Sequence, residues 1–149
     1  MRATTRRQDL DIARVRKAVE AAERMTSAEI VVSIAPFFLG RVWQAAQRAF
    51  VRLGVSRTQR RNGVLVFVVP SRRQVVVLAD EGALARVDPS TWPDTATQIA
   101  TAFAHGHGTA GLVDGIARLA RSLRGPFPHE RADVNELPDQ PVLGSGGPP

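Results

Sequence analysis

RRNGVLVFVVPSRRQVVVLADEG, residues 60–82, decides how this chain folds. Val64 to Val69 is an unbroken apolar run of strand length. A run with no polar alternation predicts a strand buried on both faces. Pro70-Ser-Arg-Arg73 carries turn chemistry. Val75 to Ala79 then returns as a second strand, so the two runs form an antiparallel hairpin. The hairpin starts on a basic, amide-bearing cluster, Arg60-Arg61-Asn62-Gly63, and ends on an acidic one, Asp80-Glu81-Gly82. In an antiparallel pair those two ends are neighbours in space.

Working outward, Glu29-Ile-Val-Val-Ser-Ile-Ala35 is rich in β-branched residues and is closed by Pro36, which predicts a further strand. Residues 42–53 separate it from the hairpin. They read as a helix with Trp43, Ala46, Phe50 and Leu53 on its apolar face, stopped by Gly54. A strand, helix, strand crossover followed by a hairpin predicts a mixed sheet. Upstream, residues 9–25 are amphipathic, with Ile12, Val15, Val19 and Ala22 on one stripe and Asp9 or Asp11 as cap. Downstream, Thr91 is a cap for a helix with Pro93 in its first turn and Ala96, Ile99, Ala100 and Phe103 on its apolar face. Gly106 and Gly108 break that helix, and a last one from about Gly111 to Leu123 carries Leu112, Ile116, Leu119 and Leu123.

The expected fold is therefore α/β, with a mixed sheet of three to four strands between about four helices in three layers. Its expected divisions are a loose start over 1–8, one domain over 9–128, and an acidic then Pro/Gly-rich flexible tail over 129–149. A chain of 149 residues suits one domain.

Composition narrows the function classes. There is no cysteine, which excludes a disulfide framework, a Cys-ligated metal and a thiol nucleophile. The arginine-bearing N-terminus has no apolar core of the signal-peptide kind, and the longest apolar run falls far short of the roughly 20 residues a bilayer span needs. The expected location is cytoplasmic, peripheral at a membrane if charge draws it there. Net charge is +6. No acidic residue lies between Glu29 and Asp80, whereas Arg41, Arg48, Arg52, Arg57, Arg60, Arg61, Arg72 and Arg73 do. This 41–73 arginine face should attract anions such as phosphates, lipid headgroups or an acidic partner. Aromatic residues make up only 5% and do not interleave with the arginines, which argues against a nucleic-acid stacking platform.

Topology points to one candidate site. If the strands at 29 and 63 are parallel, their starts share a sheet edge, and the strand ending at Ala79 returns to that edge. Glu29, Arg61, Asn62, Asp80 and Glu81 then converge. Carboxylates with an amide oxygen suit a hard cation such as calcium or magnesium, with Asp80, Glu81 and Glu29 as ligands. Arg60 or Arg61 suits a phosphate held by paired hydrogen bonds. The same residues are also ordinary turn chemistry at exposed strand ends. His105-Gly-His-Gly108 reads as a glycine-rich helix terminus rather than a metal site. There is neither a Walker-type phosphate loop nor a nucleophile elbow.

The segments TSAEIVV, TQRRNGVLVFV, VVVLADEG, AGLVDGI and NELPD, in that order, resemble the TPM domain family, also called TPM phosphatase, over roughly residues 10–139. The resemblance implies a mixed sheet between helices. It also implies either acid phosphatase activity on phosphomonoesters, in some members with bound calcium, or an accessory role for a membrane-protein partner such as a membrane-anchored relative. Carried over by position, its motif residues are Glu29, Arg61, Asn62, Gly63, Asp80 and Gly82, with Trp92 as a packing position. On this resemblance Asp80 and Glu29 would be base or metal ligands, Arg61 a phosphate clamp and Asn62 a positioning residue. The chain departs from the pattern at Ala28 and Ala79, where the family has glycine.

Overall fold

The computed structural model describes residues 10–36, 38–130 and 141–143. Strands β1 (Glu29–Ile34), β2 (Gly63–Val69) and β3 (Gln74–Ala79) form the sheet with a short β4 (Val142–Leu143), in the order β3-β2-β1-β4. β1 and β2 run parallel, with Glu29 opposite Gly63. β2 and β3 run antiparallel, with Val64 opposite Ala79. The mixed sheet and its hairpin are those the apolar runs predict. Every residue of β2 is buried, as an unbroken apolar run requires.

Alternation along the strands divides the core in two. Ile30, Val32, Val64, Val66 and Val68 face α1 (Ile12–Glu23), α4 (Thr91–Ala104) and α5 (Gly108–Leu123). Val31, Leu65, Phe67 and Val69 face α2 (Val42–Arg52). The result is three layers. Fully burying each of these aliphatic or aromatic side chains contributes about 1.5–3 kcal/mol. The predicted stripe of α5, Leu112, Ile116, Leu119 and Leu123, is fully buried.

α1 starts where Asp11 caps it, its carboxylate accepting from the Arg14 N–H at 3.2 Å. The α4 start differs from expectation. Ser90 holds the N-cap position without a side-chain cap, and Thr91 lies inside the helix, buried. The cap-like role passes to Asp88, which accepts from Ser90 N–H at 2.9 Å and Ser90 Oγ at 2.8 Å. Those two donors favour the charged carboxylate and hold its pKa below the ordinary value. Gly106, at φ 80, breaks the chain as expected, but Gly108 opens α5. A Cβ there would meet the Phe103 ring at 2.4 Å, so the glycine lets the two helices close on each other.

α2 is rotated relative to its predicted face. Val42, Ala45, Ala46 and Ala49 are buried, whereas Trp43 is 56% exposed and Phe50 and Leu53 are only partly buried. Small side chains let the helix backbone approach the sheet closely, and Leu65 and Phe67 fill the gap from the other side. A fifth, short helix between β3 and α4, α3 (Glu81–Leu84), adds to the four the sequence leads one to expect. Most of the expected tail lies outside the described residues, as does the N-terminal segment 1–8. Within the tail, Val142 and Leu143 pair in parallel with Ser33 and Ile34, which gives β1 its second neighbour.

The rotation of α2 has a direct consequence for stability. Ala46→Leu should lower the unfolding free energy by about 1–3 kcal/mol through overpacking. Trp43→Ser should change it by less than about 0.5 kcal/mol. Urea denaturation of the two variants distinguishes this packing from one in which Trp43 is part of the core.

Candidate functional site

Glu29 and the two polar ends of the hairpin do meet at one edge of the sheet. Glu29 pairs with Gly63 across β1 and β2, and the Asp80 N–H donates to the Gly63 carbonyl at 2.9 Å across β2 and β3. Two strand spacings put the backbones of Glu29 and Asp80 about 10 Å apart. The convergence expected from topology is therefore present in the backbone.

The side chains use this convergence among themselves. Arg61 Nε donates to Asp80 Oδ2 at 2.6 Å, and Arg61 Nη2 donates to Asp80 Oδ1 at 2.9 Å. This is a two-pronged guanidinium–carboxylate clasp. Nη2 also lies 3.4 Å from Glu81 Oε2. Asp80 Oδ1 further accepts from the Glu81 N–H at 2.8 Å, which makes Asp80 the N-cap of α3. Asp80 is 6% exposed and the Arg61 side chain 45%, so the clasp has a buried acidic end and an open basic end. The bonded carboxylate raises the Arg61 pKa further above its ordinary value.

Backbone geometry supports the clasp. Arg61 sits at φ 52, in the left-handed region that non-glycine residues seldom adopt. Its carbonyl accepts from the Gly82 N–H at 2.8 Å. A Cβ on Gly82 would lie 2.3 Å from the Arg60 carbonyl oxygen and 2.7 Å from that of Arg61, so only glycine allows this approach. Asn62 is 3% exposed, and its N–H donates to Thr58 Oγ1 at 3.1 Å, which fixes the loop ahead of β2.

Gly63 stands between the two carboxylate positions, and the notch it leaves is already filled. A Cβ there would lie 2.3 Å from the Val55 carbonyl oxygen, in the 3-10 turn Val55–Arg57. Thr26, just ahead of β1, is buried and donates through Oγ1 to the Phe127 carbonyl, joining the start of β1 to the segment after α5. Its role is structural.

The donor set does not fit a resident hard cation as arranged. Both oxygens of Asp80 are engaged by Arg61, and no group of three or more His, Asp or Glu side chains suited to a metal occurs among the described residues. A cation at Asp80 would compete with the guanidinium for the same carboxylate. Elsewhere, His105 is exposed and its Nδ1 lies 2.9 Å from the Thr101 carbonyl, in keeping with a helix terminus. No described helix is long and apolar enough to cross a membrane. Two features were not anticipated, the Arg61–Asp80 pairing and the Val55 plug. The Arg61-Asn62-Gly63 spacing before a buried strand held a signal for the first. Nothing in the sequence marks the second.

The TPM domain model matches residues 8–122, most of the chain. The chain belongs to the TPM domain family. It is also similar to the BA42 protein of the psychrophilic bacterium Bizionia argentinensis, whose NMR structure is 30% identical, covers 91% of this chain and 95% of that one, and superposes with a TM-score of 0.81. No curated protein matches it. The edge of this TPM domain is thus where the motif residues Glu29, Arg61, Asn62, Gly63, Asp80 and Gly82 gather.

The close approach at Gly82 is testable. Gly82→Ala must push backbone against backbone and should cost at least about 1–3 kcal/mol. Gly125→Ala, where a Cβ meets nothing within 4 Å, should stay within about 0.5 kcal/mol of wild type. Thermal melts of the two variants make the comparison.

Proposed function

We propose that this TPM domain works as a non-catalytic accessory module at a membrane, with the motif residues serving as a clasp that shapes the domain. The observation that carries this reading is the occupation of Asp80 by Arg61, 2.6 and 2.9 Å from its two oxygens. A general base, nucleophile or metal ligand needs a free lone pair directed at the reactant. Three of the roughly four Asp80 lone-pair positions are directed at the guanidinium and at the Glu81 N–H. The Val55 carbonyl lies directly over Gly63, the residue between the Glu29 and Asp80 positions, which narrows the approach there.

A second reading, phosphomonoester hydrolysis, draws support from the Arg61 guanidinium, which is half exposed at the rim. An exposed arginine fork matches the geometry of a phosphate. On this reading Arg61 clamps the phosphate, Asn62 positions it, and Asp80 and Glu29 act once Arg61 has turned away. Calcium or magnesium would share the Asp80 carboxylate with Arg61 or take its place.

Hydrolysis of a generic aryl phosphate separates the two. The accessory reading expects wild type to stay at the background rate with or without calcium or magnesium, and Asp80→Asn to behave the same. Turnover by the wild type that falls at least about a hundredfold in Asp80→Asn, the usual scale for losing an acid–base group, would establish the enzyme instead.

A further inference from the structure

The outer face of α2 carries what the fold leaves unused. Its inner face packs through Val42, Ala45, Ala46 and Ala49. Turned outward are Trp43, 56% exposed, and Val51, 63% exposed, with Leu39 just before the helix at 74%. These three are among the four large hydrophobic side chains exposed in the described structure, so the patch is concentrated rather than scattered. Gln44, Gln47, Arg48, Val51 and Arg52 line a shallow open depression on the same side, about 590 Å³ in volume. Arg41 stands at the helix start and Arg57 in the turn that follows, both exposed.

The charge on this face stands apart from any acid in its own stretch of sequence, whereas some arginines elsewhere are paired. Arg16, Arg60, Arg61 and Arg118 each face a carboxylate within 4.0 Å. Arg41, Arg48, Arg52 and Arg57 have no acidic neighbour in the sequence from residue 30 to 79. The Arg48 Nε is buried without a hydrogen-bond partner among the described residues. Charges of one sign beside exposed apolar side chains call for a partner that is acidic and apolar at once.

We propose that the outer face of α2 docks on an anionic lipid surface, with Trp43, Val51 and Leu39 entering the interface and Arg41, Arg48, Arg52 and Arg57 meeting the headgroups. This rests on the accessory reading and names the surface at which the module works. The composition matches an interfacial helix. An indole is at home at the boundary between headgroups and acyl chains, arginine stems lie along apolar surface while their charge stays in water, and glutamines fill the polar flank without repelling anions. The helix is anchored to the sheet along its other side, so docking needs no unfolding. Each arginine near an anionic surface is worth about a fivefold change in partition, so the attraction is salt-sensitive.

Co-sedimentation of the full chain with vesicles provides the test. At low salt the wild type should pellet with phosphatidylcholine vesicles containing phosphatidylserine and remain in solution with phosphatidylcholine alone. High salt should release it. The Arg48→Glu/Arg52→Glu double variant should lose at least about tenfold in partition. Trp43→Ser should weaken binding and remove the blue shift in tryptophan emission, because Trp92 is already buried. Circular dichroism and urea midpoints establish that these surface variants are folded. Failure of the wild type to pellet with the anionic vesicles, equal binding to neutral ones, or full binding by the folded double variant would overturn the proposal. So would binding to polyglutamate but not to vesicles, which would assign the face to an acidic protein. A wild type that pellets as expected and also hydrolyses the aryl phosphate leaves the docking face in place and overturns only the accessory reading.

Discussion

The whole structure depends on β2 having no face to show to water. All seven of its residues are buried, so both sides of the sheet must be covered. The α2 connection covers one side on the way from β1 to β2, and α1, α4 and α5 cover the other. Hydrogen bonding imposes a second demand, because buried backbone groups need partners on both edges. β1 on one side and β3 on the other meet it. Once β2 is placed in this way, its first residue has nowhere to lie but beside Glu29 on one flank and Asp80 on the other.

That placement explains why the motif residues gather, but not what they do when gathered. A loop entering a buried strand and a strand leaving beside it must be tied together at their ends. Here the tie is made twice. The backbone ties itself through Asp80 N–H to Gly63 and Gly82 N–H to Arg61, and the side chains through the Arg61 fork on Asp80. The left-handed Arg61 and the glycine requirement at residue 82 belong to this joint. A residue type suited to holding phosphate is equally suited to holding a carboxylate, since both present oxygens at the spacing of a guanidinium fork. Here the fork has found its carboxylate within the chain.

The legible parts of the sequence were those in which one signal had one cause. The unbroken run Val64–Val69 had to be a doubly covered strand, and the α5 stripe had to face a core. The misread parts had two competing signals. In α2 the bulk of Trp43, Phe50 and Leu53 outweighed the alanines in a reading based on hydrophobicity, whereas packing distance favoured the alanines. The acidic Asp80-Glu81-Gly82 read as a turn, but an aspartate at an N-cap followed by a glutamate also starts a helix, and α3 is that helix. Val142 and Leu143 pair with the open edge of β1, a partner far away in sequence. The Val55 plug was invisible for the same reason, because no local pattern records which backbone atom will lie over a glycine.

The arginines divide by the same logic. A cation near a carboxylate of its own chain is spent on the fold, as Arg61 is on Asp80 and Arg60 on Glu130 at 2.7 Å. Even Arg72, in the acid-free stretch, is used at home, donating to the Gly40 carbonyl and lying 5.5 Å from the centre of the Phe38 ring. Among the described residues Arg41, Arg48, Arg52 and Arg57 make no ion pair within 4.0 Å, and they cluster around a helix whose apolar outer residues are equally unused. Stability alone does not require that coincidence, because serine, glutamine or a mixture of glutamate and lysine would solubilise the same helix without concentrating charge of one sign. The two ends of the crossover thus do different work. At the rim, charge is neutralised within the chain and geometry is locked. On α2, charge and apolar surface are left open together, so a search for what this domain does outside itself begins on the helix rather than at the motif.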